Sequence, residues 1–301
     1  DTSDEWIVTR TGIRERHVVG DSGEATSDMC TNAARMALAD AGMSAEELDL
    51  IIIGTVTPDM KTPSAAIFVQ EKLGAVNAAA MDVNAACVGF LYSLATARAF
   101  ILSGMYRNIL ALGSETLTSI TNYQDRTTCV LFGDGAGGAI VTRSEQPDIG
   151  ILSTHLAAAG QHHALLYVGV GGSRQAVTLD NINNGARYLQ MNGSEIFKLA
   201  VKSMADASHK VLEKANIKLE EVDLLVPHQA NIRIINSLGK RLKFPEEKVF
   251  VNIDRYGNTS SASIPIALTD ARAQGKLKPG DLALLVSFGG GLVWGAALIR
   301  C

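Results

Sequence analysis

The chain is short of cysteine, proline and aromatic residues, and each shortage narrows what it can be. Four cysteines in 301 residues, at 30, 87, 129 and 301, are too few to staple so long a chain, and they lack CxxC or Cys/His metal spacing. A disulfide scaffold and a structural zinc site are therefore excluded, and no metal is expected. Only 7 prolines accompany 28 glycines, so no collagen-like or low-complexity segment exists. No run approaches 18 uninterrupted apolar residues, and the opening DTSDEW is neither basic nor apolar. A cytoplasmic protein without membrane contact is expected. Positive charge is scarce too: 27 Lys and Arg face 31 Asp and Glu, for a net charge of −4. Without a basic run, no nucleic-acid surface is expected, and an acidic partner must be met by a local patch.

What is present is a large apolar fraction, 47%, arranged as alternating strand-like and helix-like segments, which places the chain in the α/β class. The pattern also repeats. LADAGMSAEELDLIIIG (38 to 54) resembles LEKANIKLEEVDLLVPH (212 to 228), a shift of 228 − 54 = 174. The same shift lays NAACVGFLYSLATARA (84 to 99) on NTSSASIPIALTDARA (258 to 273), and ILALGSE (109 to 115) resembles LALLVSF (282 to 288) at a shift near 172. One offset joining separate blocks indicates two homologous α/β halves, 1–145 and 146–301, packed about a pseudo-twofold axis, with mainly parallel, buried sheets. The second half opens on a strand-like segment at Ile149, whose counterpart falls before Asp1 (149 − 174 = −25). About 25 further residues, including one strand, are expected ahead of Asp1 on that reading.

The axis brings equivalent junctions together, so three polar residues at strand ends, Cys87, His228 and Asn258, are expected to converge where α/β sheets place ligands. A cysteine at a helix start meets unpaired N–H groups and about half a positive charge, which lowers its pKa toward neutrality. Cys87 is thus expected to be a thiolate whose own N–H can serve an oxyanion. Ala85, Ala86 and Gly89 leave room for a substrate; equally, they suit a helix packed tightly on its strand. The other cysteines are read as small buried residues, and His17, His155, His162, His163 and His209 as structural or exposed. Asn258, in DRYGNTSSAS, suits an Asx-turn or N-cap as well as a site. Cys with His alone suggests acyl transfer or proteolysis, with His as base. Asn cannot exchange a proton, so its addition suggests two donors holding an oxyanion, as enolate chemistry on thioesters requires.

These residues resemble a known family. From DTSDEWIVTRTGIRERH through NAACVGF, FGDGAG, VPHQANIRII and DRYGNTSSAS to SFGGGLVWGAALIR, the chain is similar to the 3-oxoacyl-[acyl-carrier-protein] synthase III family of the thiolase-like superfamily. The resemblance implies a thiolase-like fold in α-β-α-β-α layers. It also implies a ping-pong decarboxylative Claisen condensation that starts type II fatty acid synthesis. Cys87 would take an acyl group from acyl-CoA. His228 and Asn258 would hold the enolate left when malonyl-acyl carrier protein loses CO2, and the N–H groups of Cys87 and Gly290 would form the oxyanion hole. No cofactor is implied, because acyl-CoA and malonyl-acyl carrier protein are substrates.

The resemblance further implies that Trp6 and Arg126 sandwich the CoA adenine, with Arg10 near the phosphates; otherwise Trp6 reads as a core or interface aromatic. In NIRIINSLGKRL, Arg233, Lys240 and Arg241 share one helix face, and Lys198 with Lys202 forms a second basic pair. Beside an active-site mouth, Arg233, Lys240, Arg241 and Lys198 are read as a docking patch for the acidic carrier protein. Thr62 stands where short-chain members carry a bulky Phe that floors the acyl pocket of the neighbouring subunit in a homodimer. A deeper pocket and longer primers follow. Gly133, Gly135 and Gly138 match GxGxxG, but AIVTRS after them reads as a strand, so they are taken as a tight turn near the site and not as a dinucleotide fingerprint. A chalcone-synthase-like polyketide synthase shares the three residue types but not the surrounding motifs, and a non-catalytic thiolase-like homologue is disfavoured by the intact Cys87, His228 and Asn258.

Overall fold

A computed structural model describes residues 2–301. Ser3 caps helix α1 (Asp4–Thr11), accepting from the Trp6 N–H at 3.1 Å, and Gly12 ends it in the left-handed region at φ 81°. A Cβ on Gly12 would stand 2.8 Å from Ile232, so glycine lets the helix end rest on the second half of the chain. There follow α2 (Thr26–Ala41), β1 (Leu50–Gly54), α3 (Ala65–Leu73), β2 (Ala79–Val83), α4 (Gly89–Ser103), β3 (Asn108–Glu115) and β4 (Gly135–Thr142). The chain crosses to β5 (Gly150–Ala158), then a small ribbon of β6 (Leu166–Val168) and β7 (Leu189–Met191) flanking α5 (Leu179–Asn183). Last come α6 (Gly193–Ala215), β8 (Leu224–Pro227), α7 (Ile232–Leu242), α8 (Ile253–Tyr256), α9 (Ser263–Ala273), β9 (Leu282–Gly289) and β10 (Val293–Arg300).

Two four-stranded sheets result, ordered β2-β1-β3-β4 and β5-β10-β9-β8. Strand alternation distributes side chains to both faces of each sheet. In β1, Ile51 and Ile53 pack outward with Ala34, Leu38 and Val69 of α2 and α3, while Leu50 and Ile52 pack inward with Ala97 of α4. In the second sheet Leu225, Leu284 and Val286 face α6 and α7, whereas Val226, Ala283 and Leu285 face the α4 and α9 layer. The order is helices, sheet, helices, sheet, helices: the thiolase-like layering. Helix α4 is apolar nearly all round because it lies between two sheets.

The 174-residue recurrence carries into the backbone. Strands β1 and β8 start at 50 and 224, β3 and β9 both start and end 174 apart, and α2 and α6 end at 41 and 215. The single offset replaces the shift near 172 read from ILALGSE. Short 3-10 turns at Ala86–Val88 and Ser260–Ala262 lead into α4 and α9, and each opens on a non-glycine residue at positive φ, Ala86 at 44° and Ser260 at 51°.

Two expectations need correction. The sheets are mixed: β1 pairs parallel with β2 and β3, and β8 with β9, but β3–β4, β9–β10 and β10–β5 are antiparallel. A three-residue connection from β9 to β10 permits only a hairpin return. Gly135 and Gly138 lie in strand β4 and not in a turn. They are small because α9 and β3 press on them: a Cβ on Gly135 would stand 3.1 Å from Ile266, and one on Gly138 2.5 Å from Leu112. On its other edge β4 has no strand neighbour among the described residues, whereas β5 covers the matching edge of β10.

Candidate active site

Cys87 sits in the 3-10 turn before α4, half-buried. Ser287 of β9 donates to its carbonyl oxygen at 2.7 Å, and a Cβ on Gly289 would lie 2.7 Å from its backbone nitrogen, so β9 runs directly against the Cys87 turn. Gly89 does not make room for substrate. Its backbone abuts Gly54, where a Cβ would stand 2.3 Å from the Gly89 carbonyl carbon, so it serves close packing of helix on strand. The expected thiolate is also corrected. Burial pushes the Cys87 thiol up to about 12, against a lowering hydrogen bond from Ser260, and the nearby Glu115 carboxylate raises it further.

His228 ends β8 and is 3% exposed. Burial with no compensating charge pushes its pKa down to about 3, so the ring is neutral. Its Nδ1 lies 2.6 Å from Ser263 Oγ, and that oxygen also accepts from the Gln229 N–H at 3.4 Å. The Ser263 hydroxyl hydrogen has no other acceptor among the described residues, so it goes to Nδ1 and leaves Nε2 carrying the ring proton. Asn258 is strapped by its backbone between Leu131 and Gly133, and its Oδ1 accepts from the Ser260 N–H at 2.9 Å. The amide NH2 is left as the free end. His228 and Asn258 thus both present donors.

Behind these residues is a buried carboxylate. Glu115, fully buried at the end of β3, accepts at Oε2 from the Val56 and Thr57 N–H groups and the Thr55 and Thr57 hydroxyls, at 2.7 to 3.2 Å. Its Oε1 faces Ser260 Oγ at 3.1 Å, and Ser260 Oγ in turn lies 3.3 Å from Cys87 Sγ. Burial raises the carboxyl to about 7.

Cys87, His228 and Asn258 line one cavity of about 390 Å³, together with Trp6, Arg10, Arg126 and Arg233. The Arg10 guanidinium lies 4.7 Å and that of Arg126 5.3 Å from the Trp6 ring centroid. Arg10, Arg126 and Arg233 are exposed and so mark the solvent end, while Ile196, Met204, Phe288 and Leu131 make the walls apolar. Lys240 and Arg241 are exposed further along α7, and Lys198 of α6 pairs with Glu195 at 3.0 Å. Thr62 is exposed in the loop before α3 and does not line the cavity of its own chain. Of the SFGGG glycines, Gly289 abuts Cys87, and Gly290 follows it against the Leu166 carbonyl.

A thiol, a neutral imidazole and an amide thus meet in one largely apolar cavity, and comparison with known proteins shows the family in which they do so. Residues 81–160 match the family model described as 3-oxoacyl-[acyl-carrier-protein] synthase III, and 212–301 match that of its C-terminal part. The β-ketoacyl-[acyl-carrier-protein] synthase III of Caldanaerobacter subterraneus is 51% identical over 300 residues, covering 100% of this chain and 90% of the relative. This chain belongs to the β-ketoacyl-[acyl-carrier-protein] synthase III family. It is an acyltransferase of the condensing type with the family's thiolase-like fold. The crystal structure of the synthase III from Aquifex aeolicus superposes with a TM-score of 0.92 at 51% identity, covering 100% of this chain and 92% of that one. A priming β-ketosynthase from a polyketide biosynthetic pathway gives 0.91 at 35% identity, covering 100% and 89%.

Sequence reasoning missed Glu115, Ser260 and Ser263 in this synthase. For Glu115 a signal existed: a carboxylate closes the apolar strand ILALGSE, where burial is the rule. For Ser263 it was the repeat itself, since 89 and 263 are equivalent and the first is glycine.

Proposed function

We propose that the chain condenses an acyl-CoA primer with malonyl-acyl carrier protein to give 3-oxoacyl-carrier protein, CO2 and CoA, through an acyl thioester on Cys87. Cys87 Sγ attacks the primer thioester, forming an S–C bond as the bond to CoA sulfur breaks. Malonyl-carrier protein then enters, and loss of CO2 leaves an enolate whose oxygen accepts from His228 Nε2–H and the Asn258 amide. The carbanion attacks the acyl-Cys87 carbonyl, whose oxyanion is held by the N–H groups of Cys87 and Gly290. The observation that carries this reading is the pair of neutral donors: a His228 held neutral by burial is a poor base for proteolysis and a good donor to an enolate.

Trp6 and Arg126 suit the two faces of the CoA adenine, and Arg10, beside the same ring, suits the phosphates. Arg233, Lys240 and Arg241 of α7, with Lys198 beside them, suit an acidic carrier protein, Arg233 most directly because it also lines the cavity. A homodimer is supported by the open edge of β2 and by exposed Met60, Ile67 and Val76 near Thr62. In that dimer Thr62 would floor the partner's acyl pocket and admit longer primers. The proposed reaction uses side chains and substrates alone, without a cofactor, in the cytoplasm.

Likeness to the polyketide priming synthase favours a second reading with the same chemistry on a different primer. One experiment tests both. Protein is incubated with acyl-CoAs of increasing length and with aromatic CoA esters, and the mass of the Cys87 peptide is measured. Adducts lost in Cys87→Ala support the nucleophile and name the primer class; a folded protein with no adduct from any donor overturns the assignment. Turnover of acetyl-CoA without hexanoyl- or octanoyl-CoA would sink the deeper pocket.

A further inference from the structure

Attack by Cys87 requires its proton to leave, and the two donors of the site do not accept it. His228 already carries its ring proton on Nε2, and its Nδ1 is occupied by Ser263. Asn258 is an amide and takes up no proton near neutral pH, and its Oδ1 already accepts from the Ser260 N–H. The polar side-chain atom that touches the thiol is Ser260 Oγ, at 3.3 Å.

Counting hydrogens shows where that contact leads. The Ser260 hydroxyl has one hydrogen and two neighbours, Cys87 Sγ and Glu115 Oε1 at 3.1 Å. Ser261, the other hydroxyl near Oε1 at 3.3 Å, has a nearer acceptor in the Gly54 carbonyl at 2.7 Å. The two carboxyl oxygens are thus solvated unequally. Oε2 is held by two backbone N–H groups and two threonine hydroxyls, whereas Oε1 meets only serine hydroxyls, which donate or accept as required. A proton placed on Oε1 keeps every bond of the cluster intact, with the Ser260 hydroxyl reversed. The placement also follows the repeat: 115 and 289 are equivalent, as are 86 and 260. One half thus presses Gly289 on the Cys87 turn while the other presses Glu115 on the Ser260 turn.

We propose that Ser260 and Glu115 form a proton relay that takes the thiol proton of Cys87 as the acyl group arrives and returns it when the condensation product leaves. This rests on reading Cys87 as the acylated nucleophile. In the first half-reaction Sγ–H gives its proton to Ser260 Oγ as Ser260 gives its own to Glu115 Oε1. The S–C bond forms, and CoA departs as a thiolate that is protonated by solvent. In the second, the carbon–carbon bond forms, Cys87 is expelled as a thiolate, and the proton returns from Glu115 through Ser260. One proton is taken up per turnover, as the loss of CO2 from a malonyl carboxylate requires. Ser260 touches the reacting sulfur, and Glu115 acts through it. The titratable groups facing Glu115 are Cys87, through Ser260, and the buried Cys30 of α2, with Asp59 and Asp82 beyond Cys30. Glu115 is poised to accept and return a proton near neutral pH because burial raises it to about 7.

The test is single-turnover acylation of the whole protein by its best acyl-CoA, followed by mass from pH 5.5 to about 9, for wild type, Ser260→Ala, Ser260→Thr and Glu115→Gln. Wild-type acylation is expected to rise with pH through about 7 as Glu115 ionises. Ser260→Ala and Glu115→Gln are expected to slow it roughly a hundredfold and to abolish that rise, and the double variant to be no slower than either. Ser260→Thr, which keeps the hydroxyl, restores most of the rate. Acylation of wild type should also raise the infrared band of a protonated carboxyl, absent in Glu115→Gln. Folded Ser260→Ala and Glu115→Gln that acylate at the wild-type rate with the wild-type pH profile overturn the relay. A wild type never acylated on Cys87 overturns instead the reading beneath it.

Discussion

His228 and Ser263, joined at 2.6 Å between Nδ1 and Oγ, occupy the positions that Gly54 and Gly89 occupy in the other half of the chain. In the first half, strand end and helix start close backbone to backbone. In the second, the equivalent gap holds an imidazole and the hydroxyl that orients it. The repeat thus supplies one junction tight enough to fix the Cys87 turn and one open enough to seat an imidazole.

Ser263→Ala removes the hydrogen that fixes the ring tautomer. Decarboxylation of malonyl-carrier protein is expected to fall about tenfold to a hundredfold, while acylation of Cys87 by acyl-CoA keeps its rate. The two half-reactions can be timed separately by mass, and equal losses in both would indicate a displaced strand end and count against the donor role.

The two buried groups give stability opposite pH dependences. His228 stays neutral in the fold down to about 3, while an unfolded histidine titrates near 6.5, so its contribution is present above 6.5 and is lost as pH falls toward 3. Glu115 is protonated in the fold up to about 7, against about 4.5 when unfolded, so its contribution is full below 4.5 and is lost as pH rises through 7. Melting temperatures across this range should show wild type losing ground to His228→Asn on acidification, and to Glu115→Gln as pH rises from 4.5 to 7.

Trp6→Ala removes a ring that stands within 4.7 Å of the Arg10 and 5.3 Å of the Arg126 guanidinium. A rise of roughly tenfold in KM for acyl-CoA with kcat little changed is expected, the scale of one stacking or cation–π contact. Steady-state kinetics at saturating malonyl-carrier protein checks it; a fall in kcat alone would place Trp6 outside substrate binding.

Gly54→Ala puts a methyl group 2.3 Å from the Gly89 carbonyl carbon. Overpacking there is expected to cost at least about 1–3 kcal/mol and to slow Cys87 acylation, because α4 begins at that contact. Gly160→Ala, with open space around it, serves as the control in thermal denaturation and should melt with the wild type.

The repeat was legible because buried strands and amphipathic helices leave periodic apolar patterns, and one offset tied Gly54 to His228 and Asn84 to Asn258. The antiparallel partners of β9 and β10 were not, since direction depends on the connecting loop and not on strand composition. Cys87, His228 and Asn258 were singled out by type and position and do line one cavity, but the thiol's protonation was misjudged. A helix start is visible in a sequence; the burial that desolvates the thiol, and the Glu115 carboxylate folded in from 28 residues further along the chain, are not. Ser260 was hidden for the same reason: its hydroxyl matters only once Cys87 and Glu115 stand on either side.

Cys87 and Glu115 come from one half of the chain, His228, Asn258 and Ser260 from the other. On the relay proposed above, the first half alone would carry Cys87 without Ser260, and the groups that assist its acylation would meet only when the second half docks against it. Competence for acylation would then be a chemical clock for the last step of folding. After dilution from denaturant, the time at which Cys87 first accepts an acyl group dates the joining of the halves, whatever secondary structure each has gained before.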